Sequence, residues 1–275
     1  MSMKRYGAIF FCTLIVVWGS PGDYALAEDF PSRSTLLATY RVDLAALNLG
    51  EFHLSAKFNG SEYELRAKGR FSLLAGIIYR ASGVTRSTGK LTKAGPEPSS
   101  FRVSYEGGGK REQRRIDFAN GTVSDVFILP PRKKKNPRRS VPVTKEQLED
   151  VLDPLTAAFL SVRSDDAQTL RVCHQTLPVF DGKQRFDLVL TPKRVEHVDK
   201  NAPALFYGPV AVCQVKFVPI GGYRPDHPGI KFMAQTDDIE VWLVPLPEST
   251  LYVTYRIVVP TPLGQGSATL TELEF

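Results

Sequence analysis

Cysteine is scarce in this chain, three in 275 residues, which excludes a small disulfide-dense scaffold. Histidine is nearly as rare. His53, His174, His197 and His227 form no H-x-x-x-H or histidine–carboxylate spacing that holds zinc, and no C-x-x-C occurs. No metal or other cofactor is therefore expected. There is no G-x-S-x-G elbow and no phosphate-cradling P-loop. The 29 Asp and Glu residues offer no geometry from which to choose a general acid and base. With no catalytic motif, the expectation is a protein that is not an enzyme. Long hydrophobic runs are missing too. The stretch from Gly7 to Trp18 is about a dozen residues, against roughly 20 for a membrane-crossing helix. Disorder is excluded by a hydrophobic content of 43% and an aromatic content of 10%.

That short run follows Lys4 and Arg5 and precedes Ala25-Leu26-Ala27, the order of a secretory signal peptide cleaved after Ala27. Cys12 sits inside the run, away from a lipoprotein acceptor position. The mature chain is then exported and soluble, at most peripheral to a membrane. Export leaves Cys173 and Cys213, an even pair in an oxidising compartment. A disulfide between them is expected, closing a loop of about 40 residues and stabilising the fold by roughly 4 kcal/mol. Both cysteines are placed in β-like segments, Leu170–Gln175 and Val210–Val218. His174, beside Cys173, is expected to be semi-buried and hydrogen-bonded.

Period-2 alternation dominates the body of the chain. Phe52, Leu54, Ala56 and Phe58 alternate with Glu51, His53, Ser55 and Lys57. Tyr63, Leu65, Ala67, Gly69 and Phe71 repeat the pattern, and Leu36, Ala38, Tyr40, Val42 and Leu44 precede it. Asn59-Gly60, Asn120-Gly121 and Asp181-Gly182 mark hairpins. Roughly a dozen strands at such spacing predict a mainly β protein, a curved antiparallel sheet or partly closed barrel in two halves. Domain organisation follows: signal peptide 1–27, then one β-rich domain over 28–275. Within it lie a β half at 33–129, a Pro-flanked loop at 130–143, a helical segment at 144–163 and a second β half at 168–275. In the helical segment Thr144 and Gln147 form a capping-box pattern. Leu148, Val151, Leu152, Leu155 and Phe159 have helical spacing, and Asp153-Pro154 restarts the helix. One broken helix over 145–162 is expected, plugging or crossing the curved sheet. No repeat relates the halves. A lipid-spanning barrel ending at Phe275 fits poorly, since regular bands of about 10 residues with aromatics at both ends are missing. Phe275 is expected to finish a core strand.

The formal charge of +6 is local. Signal cleavage removes Lys4, Arg5 and Asp23, leaving +5. Arg132, Lys133, Lys134, Lys135, Arg138 and Arg139 supply six charges between Pro130-Pro131 and Pro142, so the remainder is near −1. This exposed loop is a candidate anion contact for lipid headgroups or another polyanion, or a solvated tip. No nucleic-acid motif is present, and an exported protein rarely meets nucleic acid. Lys110, Arg111, Arg114 and Arg115, interleaved with Glu106, Glu112 and Asp117 beside Gly107-Gly108-Gly109, read as a mixed-charge hairpin tip. After Gly221-Gly222, Tyr223 and Arg224 form a candidate ligand-contact loop or a packed loop at the sheet mouth.

The order of Cys173, Val179-Phe-Asp-Gly-Lys-Gln-Arg-Phe-Asp-Leu188, Tyr207-Gly-Pro-Val-Ala-Val-Cys213 and Val218-Pro-Ile-Gly-Gly-Tyr-Arg224 resembles the exported bacterial family catalogued as domain of unknown function 3108. The Tyr40 strand with Gly50-Glu51 and Val151-Leu-Asp-Pro-Leu155 belongs to the same resemblance, which spans essentially the whole mature chain. It implies a Gram-negative periplasmic protein with a curved antiparallel β fold, and it carries over no catalytic residues. Two functions fit. One is a non-catalytic envelope binding or carrier module for a lipid or another apolar or anionic ligand. The other is an assembly factor that binds an envelope protein through a strand edge or loops.

Overall fold

The structure, a computed structural model, describes residues 33–73, 79–92, 94–131, 139–159, 170–198, 208–246 and 251–274. The signal segment 1–27, the cations Arg132, Lys133, Lys134, Lys135 and Arg138, residues 160–163 of the helical segment and Phe275 lie outside the described residues.

Seven strands form the first half: β1 (Arg33–Leu44), β2 (Leu47–Asn59), β3 (Glu62–Leu73), β4 (Tyr79–Thr92), β5 (Gly95–Gly107), β6 (Lys110–Ala119) and β7 (Thr122–Leu129). Six form the second: β8 (Gln175–Phe180), β9 (Arg185–Val198), β10 (Gly208–Gly221), β11 (Ile239–Pro245), β12 (Tyr252–Thr261) and β13 (Gly264–Glu274). Together they make one 13-stranded antiparallel sheet, ordered β7-β6-β5-β4-β3-β2-β1-β13-β12-β11-β10-β9-β8. Each half is a meander of local hairpins. Pairing of β1 with β13 is the one long-range ladder, and it welds the halves together.

Most of the predicted dry faces are buried, with Leu36, Ala38 and Tyr40 on β1, Leu54, Ala56 and Phe58 on β2, and Tyr63, Leu65 and Ala67 on β3, while Val42, Leu44, Phe52, Gly69 and Phe71 toward the distal ends of these strands are half-buried. Asn120 and Gly121 both adopt left-handed φ, 51° and 74°, as a type I′ turn requires. At the first hairpin the turn slides one residue. Asn59 pairs with Glu62, and only Gly60 is left-handed, at φ 58°. This register sets Phe58 opposite Tyr63 instead of Ser61, gaining a cross-strand aromatic pair without changing faces. The Asp181-Gly182 turn is longer than a two-residue loop. Asp181 Oδ1 accepts the Lys183 and Gln184 N–H groups at 2.7 and 2.6 Å, which is side-chain mimicry of a turn.

The second half departs further from expectation. Cys173 lies in a 3₁₀ turn over Arg171–Cys173, not in a strand, and β8 begins only at Gln175. His174 is exposed, not semi-buried, because the turn's backbone bonds close locally onto Leu170 and Arg171. The turn is instead held by the Cys173–Cys213 disulfide, with Cα atoms 5.3 Å apart and a sequence separation of 40. An unexpected helix, α2 (Pro228–Gln235), follows β10 with proline in its first turn. Its Ile230, Met233 and Ala234 pack onto the core beneath β10.

The helical segment is indeed broken. A 3₁₀ turn covers Glu146–Leu148, and the helix α1 runs Pro154–Phe159. Gln147 Oε1 accepts the Thr144 N–H at 3.1 Å, the return half of the capping box, while the cap position itself falls on Lys145 without a side-chain bond. Asp153 caps α1 as its Asp-Pro spacing predicted: Oδ1 accepts the Leu155 and Thr156 N–H groups at 2.9 and 3.1 Å. α1 sits inside the curve. Leu155 joins the larger core, lined by β1–β6 with Val210, Val244 and Leu270. Ala157 joins the smaller core around the disulfide, Leu177, Val179 and Leu243.

The sheet is not closed, but the gap between the outer strands β7 and β8 is bridged. Asp150 N–H donates to Gly121 O at 2.9 Å. Leu152 N–H donates to Pro178 O at 2.7 Å, and Phe180 N–H to Leu152 O at 2.9 Å. Arg114 pairs with Asp181 at 3.2 Å and Lys183 with Glu112 across the same gap. Antiparallel order also sorts the connections. The β1–β2, β5–β6, β8–β9 and β12–β13 turns, and the chain leaving β7, share one end of the sheet, which we call the distal rim.

Asp153 is fully buried with no cation beside it. Its second oxygen accepts the Ser87 and Thr156 hydroxyls at 2.7 and 2.6 Å, and Thr156 Oγ1 also lies 3.1 Å from the Tyr63 hydroxyl. Desolvation raises its carboxyl pKa above the usual range, against those hydrogen bonds. A folded-state pKa above the unfolded value gives stability that is full below the ordinary carboxylate range and falls as pH rises through the raised value. Asp153→Asn, which keeps an acceptor for the cap, is expected to flatten the fall of urea-denaturation stability as pH rises above the ordinary carboxylate range. Asp153→Ala is expected to cost about 2–4 kcal/mol from the lost cap and orphaned hydroxyls. Replacing both Cys173 and Cys213 by Ala is expected to lower stability by about 4 kcal/mol in the same assay.

Candidate functional site

Arg139, at the end of the basic segment, and the Tyr223–Arg224 loop meet at the distal rim. Gly221 and Gly222 end β10, and the chain then turns toward α2 through Tyr223, Arg224 and Asp226. Gly222 must be glycine. Its φ is +77°, and a Cβ there would strike the Lys183 carbonyl. The loop is pinned by the stretch that leaves the basic segment: Val141 N–H donates to Tyr223 O at 2.9 Å, and Gly222 N–H to Val141 O at 2.8 Å. Arg139, the one described cation of the basic segment, reaches the Asp226 carboxylate at 2.7 Å, and Arg224 lies 3.4 Å from its other oxygen. Arg139 first, then Arg224, holds the Asp226 carboxyl below its ordinary range, so one exposed carboxylate sits between two guanidiniums. Tyr223 is half-buried and Arg224 exposed.

Several cations elsewhere are matched by acids. Arg111 pairs with Glu106 at 2.8 Å, Arg114 with Glu112 at 2.9 Å, and Arg115 with Asp117 and Asp125 at 2.9 and 2.7 Å. The Gly108-Gly109 tip therefore has the mixed-charge character read from sequence. The densest network was not legible there. Arg194 Nη1 meets Glu240 at 2.8 Å, and its Nε meets Glu196 at 2.6 Å. Lys193 also reaches Glu240, at 2.9 Å, and the Trp242 indole N–H donates to it at 3.0 Å. These partners, Arg194 foremost, hold the Glu240 carboxyl down at about 2. Arg194 and Arg256 lie over the Trp242 ring at 5.4 and 5.6 Å. A one-residue register slip sets Arg194 opposite Val212, and no local spacing announces it. Every group in this network except Arg256 is answered by an opposite charge or hydrogen bond, which gives it a structural role.

The cluster of Ser87, Asp153, Thr156 and Tyr63 is closed to solvent and ties α1 to β3 and β4. Ser87 escaped notice because its partners are 66 and 69 residues away. His53, His174, His197 and His227 are all exposed. Among the described residues no group of three or more His, Cys, Asp or Glu could hold a metal, and no helix is long and apolar enough to cross a membrane. Tyr40 stacks on Phe52 at 4.6 Å with Phe159 of α1 edge-on at 5.4 Å, filling the middle of the curve. Grooves occur on the outer surface instead. One of about 430 Å³ is lined by Leu37, His53, Arg66, Lys68, Val84 and Glu272.

A single curled antiparallel sheet, plugged by a short helix and stapled by a disulfide, defines a β-barrel-like protein. The chain belongs to the family described as "Protein of unknown function (DUF3108)", whose model matches residues 39–271. Among solved structures it is similar to a beta-barrel-like protein of domain of unknown function DUF1849 from Brucella abortus. That match has a TM-score of 0.51 at 8% identity, over 88% of this chain and 97% of the other. At this identity the likeness concerns the fold alone. No curated protein matches.

Gly222→Ala is expected to destabilise the protein by about 1–3 kcal/mol through forced left-handed backbone and the carbonyl clash. Amide exchange should accelerate at residue 222, whose N–H donates to Val141 O, and at Val141, whose N–H donates to Tyr223 O.

Proposed function

We propose that the protein is a non-catalytic binding module of the periplasm that attaches to anionic envelope surfaces through its distal rim. The observation that carries this is the meeting of the two candidate loops at Asp226. It brings the end of the basic segment and the Tyr223–Arg224 loop to one rim of a sheet whose other described basic clusters are largely neutralised by acids. The segment 132–138 carries five further cations in sequence, and both of its flanks lie at that rim. Among the described residues Tyr40, Phe52 and Phe159 occupy the middle of the curve, which favours surface attachment over enclosure of an apolar ligand, since a carrier needs a cavity that buries most of its cargo. The disulfide suits an oxidising compartment. Lipid headgroup phosphates supply the matching charge, and salt is expected to weaken the contact.

A partner polypeptide at β7 is the second reading, favoured by one asymmetry. The β8 edge is occupied by Leu152, whereas β7 beyond Thr122 is paired, among the described residues, only with β6. Phe127 and Leu129 there are each 47% exposed, a surface suited to strand addition.

Deleting 132–139 tests the first reading. The variant should keep its thermal midpoint within a few degrees and lose most of its sedimentation with phosphatidylglycerol vesicles at low salt. Unchanged sedimentation would make the basic segment a bystander and leave the β7 edge as the better explanation.

A further inference from the structure

Two neighbouring hairpin tips of the distal rim are built against the usual chemistry of turns, unlike the glycine-bearing Gly108-Gly109 and Asp181-Gly182 turns of the same rim. In the β1–β2 turn Leu44 pairs with Leu47, so Ala45 and Ala46 are the central residues, both left-handed at φ 48° and 67°. Such a turn strongly prefers Asn-Gly, and alanine rarely adopts this backbone. At the opposite end of the sheet the two-residue turns Gly60-Ser61 and Asn120-Gly121 are polar and glycine-bearing as expected. The adjacent β12–β13 turn is Pro262-Leu263. Leu47 is 53% exposed, and Leu263, at 75%, is the most exposed large hydrophobic side chain among the described residues.

The two tips form one rigid unit. Ala45 N–H donates to Gln265 O at 2.9 Å. Thr261 Oγ1 accepts the Leu263 N–H at 3.1 Å and donates to Gly264 O at 2.7 Å. A lone surface leucine needs no explanation. Two leucines on neighbouring tips, one beside a strained alanine pair and the other beside proline, do. The same rim presents Lys110 at the β5–β6 turn, Arg139 and Arg224. Apolar knobs on braced tips, with cations around the same rim, match the boundary between anionic headgroups and acyl chains.

We propose that Ala45-Ala46-Leu47 and Pro262-Leu263 form a wedge that inserts into the outer few ångströms of an anionic bilayer. This rests on the envelope-surface function proposed above and adds an apolar contact to it.

The test uses the mature protein carrying Leu263→Cys labelled with an environment-sensitive fluorophore, since Cys173 and Cys213 are bonded to each other. Vesicles of phosphatidylglycerol and phosphatidylethanolamine are compared with phosphatidylcholine vesicles, each with and without depth-resolved quenchers. The label should shift to the blue and be quenched by shallow quenchers with the anionic vesicles. In unlabelled protein the double substitution Leu47→Ser, Leu263→Ser should lower partitioning on the order of ten-fold with the thermal midpoint unchanged. A label that stays in water while the protein is bound overturns the wedge and leaves purely electrostatic attachment. Equal partitioning of the double variant also overturns it, as does loss of a protein partner without any change in vesicle binding. If the label inserts equally into both vesicle types and after deletion of 132–139, the wedge stands and the cationic function fails.

Discussion

The ladder between the first and last strands is the constraint on which the rest of the molecule depends. Without it, two meanders of local hairpins would each expose a dry face. Tyr40 locks this junction. Its ring lies on Phe52 and against Phe159, and its hydroxyl donates to Thr254 O at 2.6 Å. A fully buried hydroxyl needs such an acceptor. Thr254 supplies one because it precedes the first pair of the β12–β13 ladder, at Arg256. The same threonine then donates its own hydroxyl to Ala158 O at 2.6 Å. One chain of bonds thus runs from β1 through β12 to the plugging helix.

That helix decides what the curved sheet can be used for. α1 is only six residues long, too short to persist by propensity. It exists because Asp153 caps it and because Ser87, Thr156 and Tyr63 satisfy the other carboxylate oxygen and its neighbours inside the core. The polar cluster is thus the means by which an apolar stripe is delivered to two cores. With the interior taken, recognition falls to the rims, edges and outer face, and the strained alanine turn belongs to that outer surface.

Charge follows the same division. The arginines of the sheet are mostly answered by acids on the same or neighbouring strands, as Arg115 is by Asp117 and Asp125. These exposed pairs hold geometry more than they add stability. At the rim, Arg139 and Arg224 share one carboxylate, Asp226.

Strand alternation, the Asn120-Gly121 turn and the Asp153 cap were legible in the sequence, because each depends on residues within a few positions of one another. So was the location of the cations. The partnership of Cys173 with Cys213 was legible by count and compartment, but the 3₁₀ turn that presents Cys173 was not. The helix α2 was missed although Pro228 opens it and Ile230, Met233 and Ala234 keep helical spacing, since eight residues carry too short a period to stand out. The register at Asn59 turned on a cross-strand aromatic pair that overrode the turn dipeptide, while the partners of Ser87, the Arg194–Trp242 network and the meeting of Arg139 with Arg224 each join residues that only the curled sheet makes neighbours. The sequence by itself determined the local strands, turns and caps, because their hydrogen bonds and faces are set by adjacent residues. The tertiary structure alone decided which rim gathers the loops and whether the curve is hollow, because both follow from the β1–β13 ladder and the buried helix, whose contacts span the length of the chain.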